Sequence, residues 1–288
     1  MKIVGTGLSG LIGSRVVEML SPYFQFENLS LETGVDITKK GVVDQYIERS
    51  DASWIFHFAA RTDVDGAEAE KTLREKSPTW IVNVKATEHV VDACKKTGKK
   101  LIYISTDFVF DGEKDSYAEE DQPRPLSWYA ITKYEGEKQV ATLENHGLII
   151  RIANPYRAER FARADFVHKI IERLAHHQKV VAPNDQRFVP TFIDDIAYAL
   201  KILIEKDAFG LYHVVGNQVF SPFEVAQKIA STFGFASSLV ESTTFAEYFA
   251  GRAPRPFHAY LKNDKISKLG VVMHSFDEGL ALIKATLA

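Results

Sequence analysis

The sequence predicts a doubly wound α/β fold: a parallel sheet covered by helices on both faces, with a smaller C-terminal lobe. Three observations predict it. Apolar runs alternate with segments of helical period from the first residues onward, as in Trp54-Ile55-Phe56 and Leu148-Ile149-Ile150, which is the pattern of strands buried on both faces. A glycine-rich turn follows the first run and opens the first helix. The stretches between runs are long enough for right-handed crossovers.

In order, a strand from Lys2 to Val4 leads to a helix from Leu11 to Leu20. A ragged second strand from Phe24 to Leu31 precedes a short helix from Val42 to Arg49. Then come a buried strand from Trp54 to Phe58, a helix from Thr79 to Lys96 and a strand from Lys100 to Ser105. A helix from Tyr129 to Leu143 and a strand from Gly147 to Ile152 follow. Past residue 155 the connections lengthen. The expected elements are a helix from Phe166 to His176, a strand from Val180 to Ala182, a helix from Asp195 to Ile204 and a strand from Gly210 to Val215. Ser221-Pro222 opens a helix to Phe233, with proline where its missing donor costs little. Gly251 to Pro256 is an Arg- and Pro-rich loop.

The 288 residues suit one large α/β domain or a nucleotide-binding domain with a smaller partner. With 45% hydrophobic residues the chain can bury a sizeable core. The net charge of -3 and interspersed acids and bases argue against nucleic acid as a partner. The single Cys94 excludes an internal disulfide and reads as a buried small hydrophobe. No apolar run reaches the roughly 18 residues of a membrane span. Lys2 to Gly7 reads as strand and turn rather than as a signal peptide. A soluble cytoplasmic protein is expected.

Gly5-Thr6-Gly7-Leu8-Ser9-Gly10-Leu11-Ile12-Gly13 joins the first strand to the first helix. Glycines there allow a tight turn and close approach of a pyrophosphate, which the helix N-terminus attracts. Residues 1–155 are therefore expected to form a dinucleotide-binding Rossmann domain. Residues 156–288 are expected to be mainly a substrate-binding lobe, with 188–218 returning to pack on the sheet. Glu27 and Glu32 both lie near the position where an acid would select NAD, which leaves NAD and NADP open.

Ser105-Thr106-Asp107 ends a sheet strand, where ligands of such sheets bind. Tyr129 and Lys133 are four apart and share a helix face. Together they suit ketone reduction. A free phenol has a pKa of roughly 10, and a nearby ammonium is expected to lower it towards the operating pH. Thr106 would orient the carbonyl. Tyr134 and Lys138 match the same spacing, but Tyr134 lies roughly 140° around the helix from Tyr129. The pair that begins the helix is nearer the strand ends, so Tyr129 and Lys133 are the expected pair, with Tyr134 and Lys138 as surface or packing residues.

The spacing Gly7-x-x-Gly10-x-x-Gly13 and the context Pro-Leu-Ser-Trp-Tyr-Ala-Ile-Thr-Lys around Tyr129 resemble the extended short-chain dehydrogenase/reductases. Val35-Asp36-Ile37-Thr38 is similar to their Asp-Ile-Thr element, which implies that Asp36 meets the adenine amino group; a helix cap is the alternative. Ala59-Ala60-Arg61 resembles the turn that lines the cofactor. Several stretches look like the dTDP-4-dehydrorhamnose reductase group: 59–70, Ser105-Thr106-Asp107-Phe108-Val109-Phe110-Asp111-Gly112, Asn184-Asp185-Gln186 with Pro190-Thr191, and Arg255-Pro256. Two positions depart from it. Arg151 is followed by Ile152-Ala153-Asn154-Pro155 instead of Ser-Trp, and Phe188 replaces a glycine.

The resemblance implies an NAD(P)H-dependent reductase of a nucleotide-linked 4-keto-6-deoxy sugar. A nucleotide-sugar epimerase or dehydratase with tightly bound NAD and a non-catalytic regulatory subunit are the alternatives. Thr106, Tyr129 and Lys133 would be catalytic. Gly7, Leu8, Ser9, Gly10, Leu11, Ile12, Asp36, Ile37, Ala59, Ala60, Arg61, Ser105 and Lys133 would hold the cofactor. Thr62, Asp107, Asn154, Arg187 and Arg255 would meet substrate, with Arg157 and Arg160 as further diphosphate candidates. Asp194-Asp195 reads as a helix cap, His57 as a core residue and His176-His177 as a helix end. No metal ligands are expected. The nucleotide sugar is the expected partner, and a homodimer is the assembly considered.

Overall fold

The computed structural model describes residues 1–287. Its first half comprises β1 (Lys2–Thr6), α1 (Leu11–Leu20), β2 (Gln25–Leu29), α2 (Lys40–Arg49), β3 (Trp54–His57), α3 (Val64–Ala69), α4 (Pro78–Trp80), α5 (Ala86–Thr97), β4 (Lys100–Thr106), α6 (Trp128–Ala141) and β5 (Gly147–Ile152). The second half comprises β6 (Pro155–Tyr156), α7 (Phe166–Ala175), β7 (Val180–Pro183), β8 (Thr191–Phe192), α8 (Ile193–Glu205), β9 (Gly210–His213), α9 (Pro222–Phe233), β10 (Val240–Thr243), α10 (Phe245–Tyr248), α11 (Asp264–Ser267) and α12 (Phe276–Leu287).

Six strands form one parallel sheet in the order β2-β1-β3-β4-β5-β9. Alternate side chains of each strand point to opposite faces. Ile3, Phe56, Ile102, Leu148 and Ile150 pack with Ile196, Leu200 and Leu203 of α8 and Val16 of α1. Val4, Ile55, Leu101 and Tyr103 pack with Ile47 of α2, Val90 of α5 and Val140 of α6. Both faces are covered, which is why the central strands are continuously apolar. Strand order reverses between β1 and β3, so the loops after these strands flank the crevice where such sheets take ligands.

The strand that reads as ragged is a regular five-residue edge strand. An edge tolerates polar residues: Gln25 is exposed and Glu27 pairs with Lys2 at 3.0 Å. The C-terminal lobe has its own core of Tyr156, Val167, Phe188, Phe192, Ile229, Phe276 and Leu280. The parallel pairs β7–β10 and β6–β8 cross this lobe. The sequence reading names none of α3, β6, β8, β10, α10, α11 and α12. Strands of two to four residues carry too few alternations to announce themselves.

His57 is buried between the Thr6 and Thr87 hydroxyls, at 2.7 and 2.9 Å, and burial lowers its pKa to about 3. Burial, reinforced by Arg151, also lowers that of His213 to about 3. An unfolded imidazole takes its proton near pH 6.5. Between there and pH 3 these two imidazoles bind protons only in the unfolded chain and so lower stability as pH falls, while the raised pKa of Asp107 acts in the opposite sense below pH 7. The melting temperatures of wild type and of His213→Gln, measured from pH 6.5 to pH 4, should converge as pH falls; a constant difference would contradict this account. Cys94 is a buried core thiol whose pKa burial raises to about 12.

Candidate active site

The glycine turn is held against the loop after β3. Gly7 has φ +71°, a region that favours glycine, and a Cβ there would collide with the Ala59 amide nitrogen. A Cβ on Gly13 would collide with Gly7 and Leu8, so α1 can start only this close to the turn with glycine present. Gly10 caps α1 without a side-chain bond, and the first turn holds no acid. The first N–H groups of α1 thus lack protein partners and face a cleft of about 540 Å3. Gly7, Gly10, Leu11, Ile12, Ala59, Ala60, Thr62, Ser105, Thr106, Asp107, Tyr129 and Lys133 line it. The Leu8 side chain goes into the core and Ser9 is exposed, so any contact they make with a ligand there is through backbone. The Arg61 guanidinium turns away to Glu70 at 2.8 Å. The buried Ser105 hydroxyl lacks a protein partner. An uncapped helix end, a glycine turn and an unpartnered hydroxyl along one cleft fit a dinucleotide.

Asp36 lies outside this cleft lining and does not cap a helix. Its Oδ1 accepts from the Thr38 amide (2.9 Å) and hydroxyl (2.7 Å), while Lys39 is the residue that precedes α2. Ile37 packs on the α2 side of the sheet, and its carbonyl bonds to His89 at 3.1 Å. Glu27 is turned away to Lys2, and Glu32 is exposed just beyond β2.

Ser127 caps α6 by accepting from the Ala130 amide at 3.3 Å. Gly136 lets α6 lie directly on β4, since a Cβ there would collide with the Tyr103 hydroxyl. That hydroxyl donates to the Lys133 carbonyl at 3.3 Å. Tyr129 and Lys133 are both buried. A second anchor is Asn83, in a π-helical turn (Ile81–Lys85) that links α4 to α5. It bonds to both Arg61 amide and carbonyl, at 2.8 and 3.1 Å, and donates to Thr132 at 3.0 Å. Asn83 thereby ties the turn after β3 to α6. The sequence reading passed over it, although an Asn inside Ile81-Val82-Asn83-Val84 is a polar residue in an apolar run. Tyr134 packs against the Val109 and Phe110 cluster, and Lys138 sits over its ring and pairs with Glu135.

The electrostatics differ from the expectation. Burial raises the Tyr129 phenol above its ordinary value, the Asp107 carboxylate adds to this, and the Thr106 hydroxyl opposes it. Lys133 is not among the influences on Tyr129. Its ammonium lies over the Tyr103 ring at 4.0 Å, and burial lowers its own pKa to about 7 against the opposing Glu137. Desolvation is the largest influence on both groups.

A second cavity of about 620 Å3 opens on the C-terminal lobe and shares Asp107, Asn154, Phe166 and Lys169 with the first. Lys169, Arg173, Lys179 and Arg255 bring four positive groups to it against the single acid Asp107. That balance suits an anionic ligand. Arg255 bonds to Asp65 at 2.9 Å and lies over the Phe249 ring at 4.7 Å. Asn154 has φ +41°, the left-handed region.

The other arginines weighed for a diphosphate are elsewhere. Arg157 is buried against Ser14 (3.0 Å) and Glu18 (3.3 Å), Arg160 pairs with Glu172 at 3.1 Å, and Arg187 faces Glu224 at 3.9 Å. Asp194 and Asp195 lie inside the first turn of α8 and do not cap it. Asp194 holds Arg15 through two bonds of 2.7 Å, and Asp195 holds His274. His176 ends α7. Among the described residues no cluster of metal-ligating side chains occurs and no helix is long and apolar enough to cross a membrane.

The family described as RmlD substrate binding domain matches residues 1–288. The dTDP-4-dehydrorhamnose reductase of Aggregatibacter actinomycetemcomitans is 30% identical over 303 aligned residues, covering 99% of this chain and 98% of that one. Methionine adenosyltransferase 2 subunit beta of Rattus norvegicus is 32% identical over 226, covering 75% and 65%. Among solved structures, dTDP-4-dehydrorhamnose reductase from Bacillus anthracis str. Ames in complex with NADP has a TM-score of 0.89 at 29% identity, over 99% of each chain.

Proposed function

Because this chain belongs to the RmlD substrate binding domain family, we propose that it is an NAD(P)H-dependent reductase of a nucleotide-linked 4-keto-6-deoxy sugar such as dTDP-4-dehydrorhamnose. The observation that carries the reading is a buried phenol, hydroxyl and ammonium lining the cleft of the glycine turn, which joins the cation-rich second cavity at Asp107, Asn154, Phe166 and Lys169. A dinucleotide bound along the glycine turn supplies the hydride. Tyr129 gives a proton to the ketone oxygen, and Thr106 orients that oxygen. Lys133, fixed under the cleft by Tyr103, donates hydrogen bonds to the cofactor side. The free N–H groups at Leu11 and Ile12 receive a diphosphate beside Gly7 and Gly10, Ala59, Ala60 and Ser105 line the same cleft, and Asp36 and Ile37 serve the adenine end. Thr62, Asp107 and Asn154 meet the sugar. Lys169 and Arg255 meet the nucleotide diphosphate.

The reading is tested by NADPH or NADH oxidation with dTDP-4-dehydrorhamnose. Net oxidation supports the reductase. Product without net oxidation supports an epimerase or dehydratase. Cofactor binding without turnover on a panel of keto sugars supports a regulatory role, the reading suggested by similarity to the methionine adenosyltransferase subunit. In the same assay Arg255→Ala should raise KM by about 10-fold or more with kcat little changed. That is the scale of one hydrogen bond to a charged group.

A further inference from the structure

Asp107 is the one acid lining both cavities. It is 3% exposed, and its Oδ2 has no hydrogen-bond partner. A buried carboxylate oxygen left bare is costly, whereas a carboxylic acid tolerates the same surroundings. Burial raises the pKa of this group to about 7, with the Thr106 bond opposing. Its other oxygen lies 2.9 Å from Thr106 Oγ1. Thr106 and Tyr129 line the same cleft, and the Thr106 hydroxyl opposes the rise of the Tyr129 pKa.

The hydroxyl of Thr106 has one proton and two lone pairs. One lone pair accepts from the Phe108 amide at 3.2 Å. With Asp107 ionised, the hydroxyl proton is committed to the carboxylate. With Asp107 protonated, the same short contact reverses: the acid donates to Thr106, and the Thr106 proton is free for the oxygen of Tyr129. The other titratable and charged groups lining these cavities are Tyr129 and Lys133 from α6, Arg163 and Asp165 just before α7, Lys169 and Arg173 from α7, Lys179 at the edge of β7, Tyr248 from α10, and Arg255.

We propose that Asp107 is a proton reservoir that refills Tyr129 through the Thr106 hydroxyl. The inference rests on the reductase reading above. After Tyr129 gives its proton to the ketone oxygen, the phenolate takes the Thr106 proton as Thr106 Oγ1 takes the proton of Asp107. Tyr129 gains an O–H bond, Thr106 Oγ1 loses one and gains one, Asp107 loses one, and the negative charge passes from the phenolate to the carboxylate with no change of oxidation state. The carboxylate left on Asp107 is reprotonated from solvent once product leaves the cleft.

Asp107→Asn keeps the shape and an acceptor for Thr106 but has no transferable proton. With saturating NADPH and dTDP-4-dehydrorhamnose, the variant should lose about 10-fold or more in kcat, the lower range for proton-transfer groups. The wild-type kcat should fall as pH rises through about 7, because the acid form is the donor; the variant should lose the Asp107 part of this limb and keep only the part that belongs to Lys133, whose pKa also lies at about 7. A variant that changes KM alone and keeps the wild-type pH profile would overturn the proposal. Infrared titration of the resting protein gives a second readout without turnover. A protonated-carboxyl band at pH 6 that disappears near pH 7 and is missing from Asp107→Asn supports the reservoir, even if wild type fails to oxidise NADPH, in which case the failure belongs to the reductase reading. Absence of that band from wild type at pH 6 overturns the reservoir whatever the turnover.

Discussion

Replacing Tyr129 with Phe is expected to cut reductase turnover by about 10^2- to 10^4-fold, the range for a positioned proton donor, while leaving NADPH affinity within a few-fold. The ring stays in place: Tyr129 packs with Trp128 and Ala67, edge-on to Phe108 at 6.2 Å. The substitution deletes only the oxygen that faces Thr106. Fluorescence titration of NADPH separates the two effects. A loss of affinity comparable to the loss of turnover would mean that the phenol holds cofactor rather than moving a proton. The Tyr134→Phe variant, on another face of α6 and packed against the Val109 and Phe110 cluster, should retain turnover.

Glu137→Leu is expected to destabilise the fold by about 3–5 kcal/mol, the cost of stranding a buried charge. Glu137 Oε1 and Oε2 accept from Arg151 Nε and Nη2 at 2.9 and 2.7 Å, and both side chains are almost fully buried. The pair joins α6 to β5 one helical turn beyond Lys133. For a chain of this size the expected fall in melting temperature is on the order of 10 °C. The double variant Glu137→Leu with Arg151→Met should recover much of the loss, since an apolar pair of similar volume is often as stable as the ion pair. Failure of the double variant to recover would show that the charge itself is not the cause. The site should also respond. Glu137 opposes the burial that lowers Lys133, so in the milder variant Glu137→Gln the lysine pKa should move further below about 7, and a pH–rate limb due to Lys133 should move to lower pH.

The glycine turn, the Tyr129–Lys133 spacing and the alternation of strands and helices were legible because each depends on neighbours within a few residues. A turn needs its glycine locally, and residues four apart share a helix face in any context. Other features depend on long-range contacts. Arg255 reaches its cavity because Asp65, in α3, holds it. Arg157 is a plausible phosphate ligand by composition but is spent on Ser14 and Glu18 of α1. Lys169 stands where the two cavities meet because α7 crosses there, and nothing within its own helix marks it. The tuning of Tyr129 was misread for the same reason: a lysine four residues away promises a field, but burial of both groups decides the outcome.

The sequence by itself determined the sheet class, the dinucleotide turn and the pairing of a phenol with an ammonium. These follow from periodicity and backbone geometry over short spans. Only the tertiary structure decided which cations face the second cavity, that Asn83 ties the turn after β3 to α6, and that Asp107 is buried with one oxygen free. Solvent exclusion and the meeting of distant segments set the protonation states on which the chemistry depends, and neither is encoded in the spacing of residues along the chain.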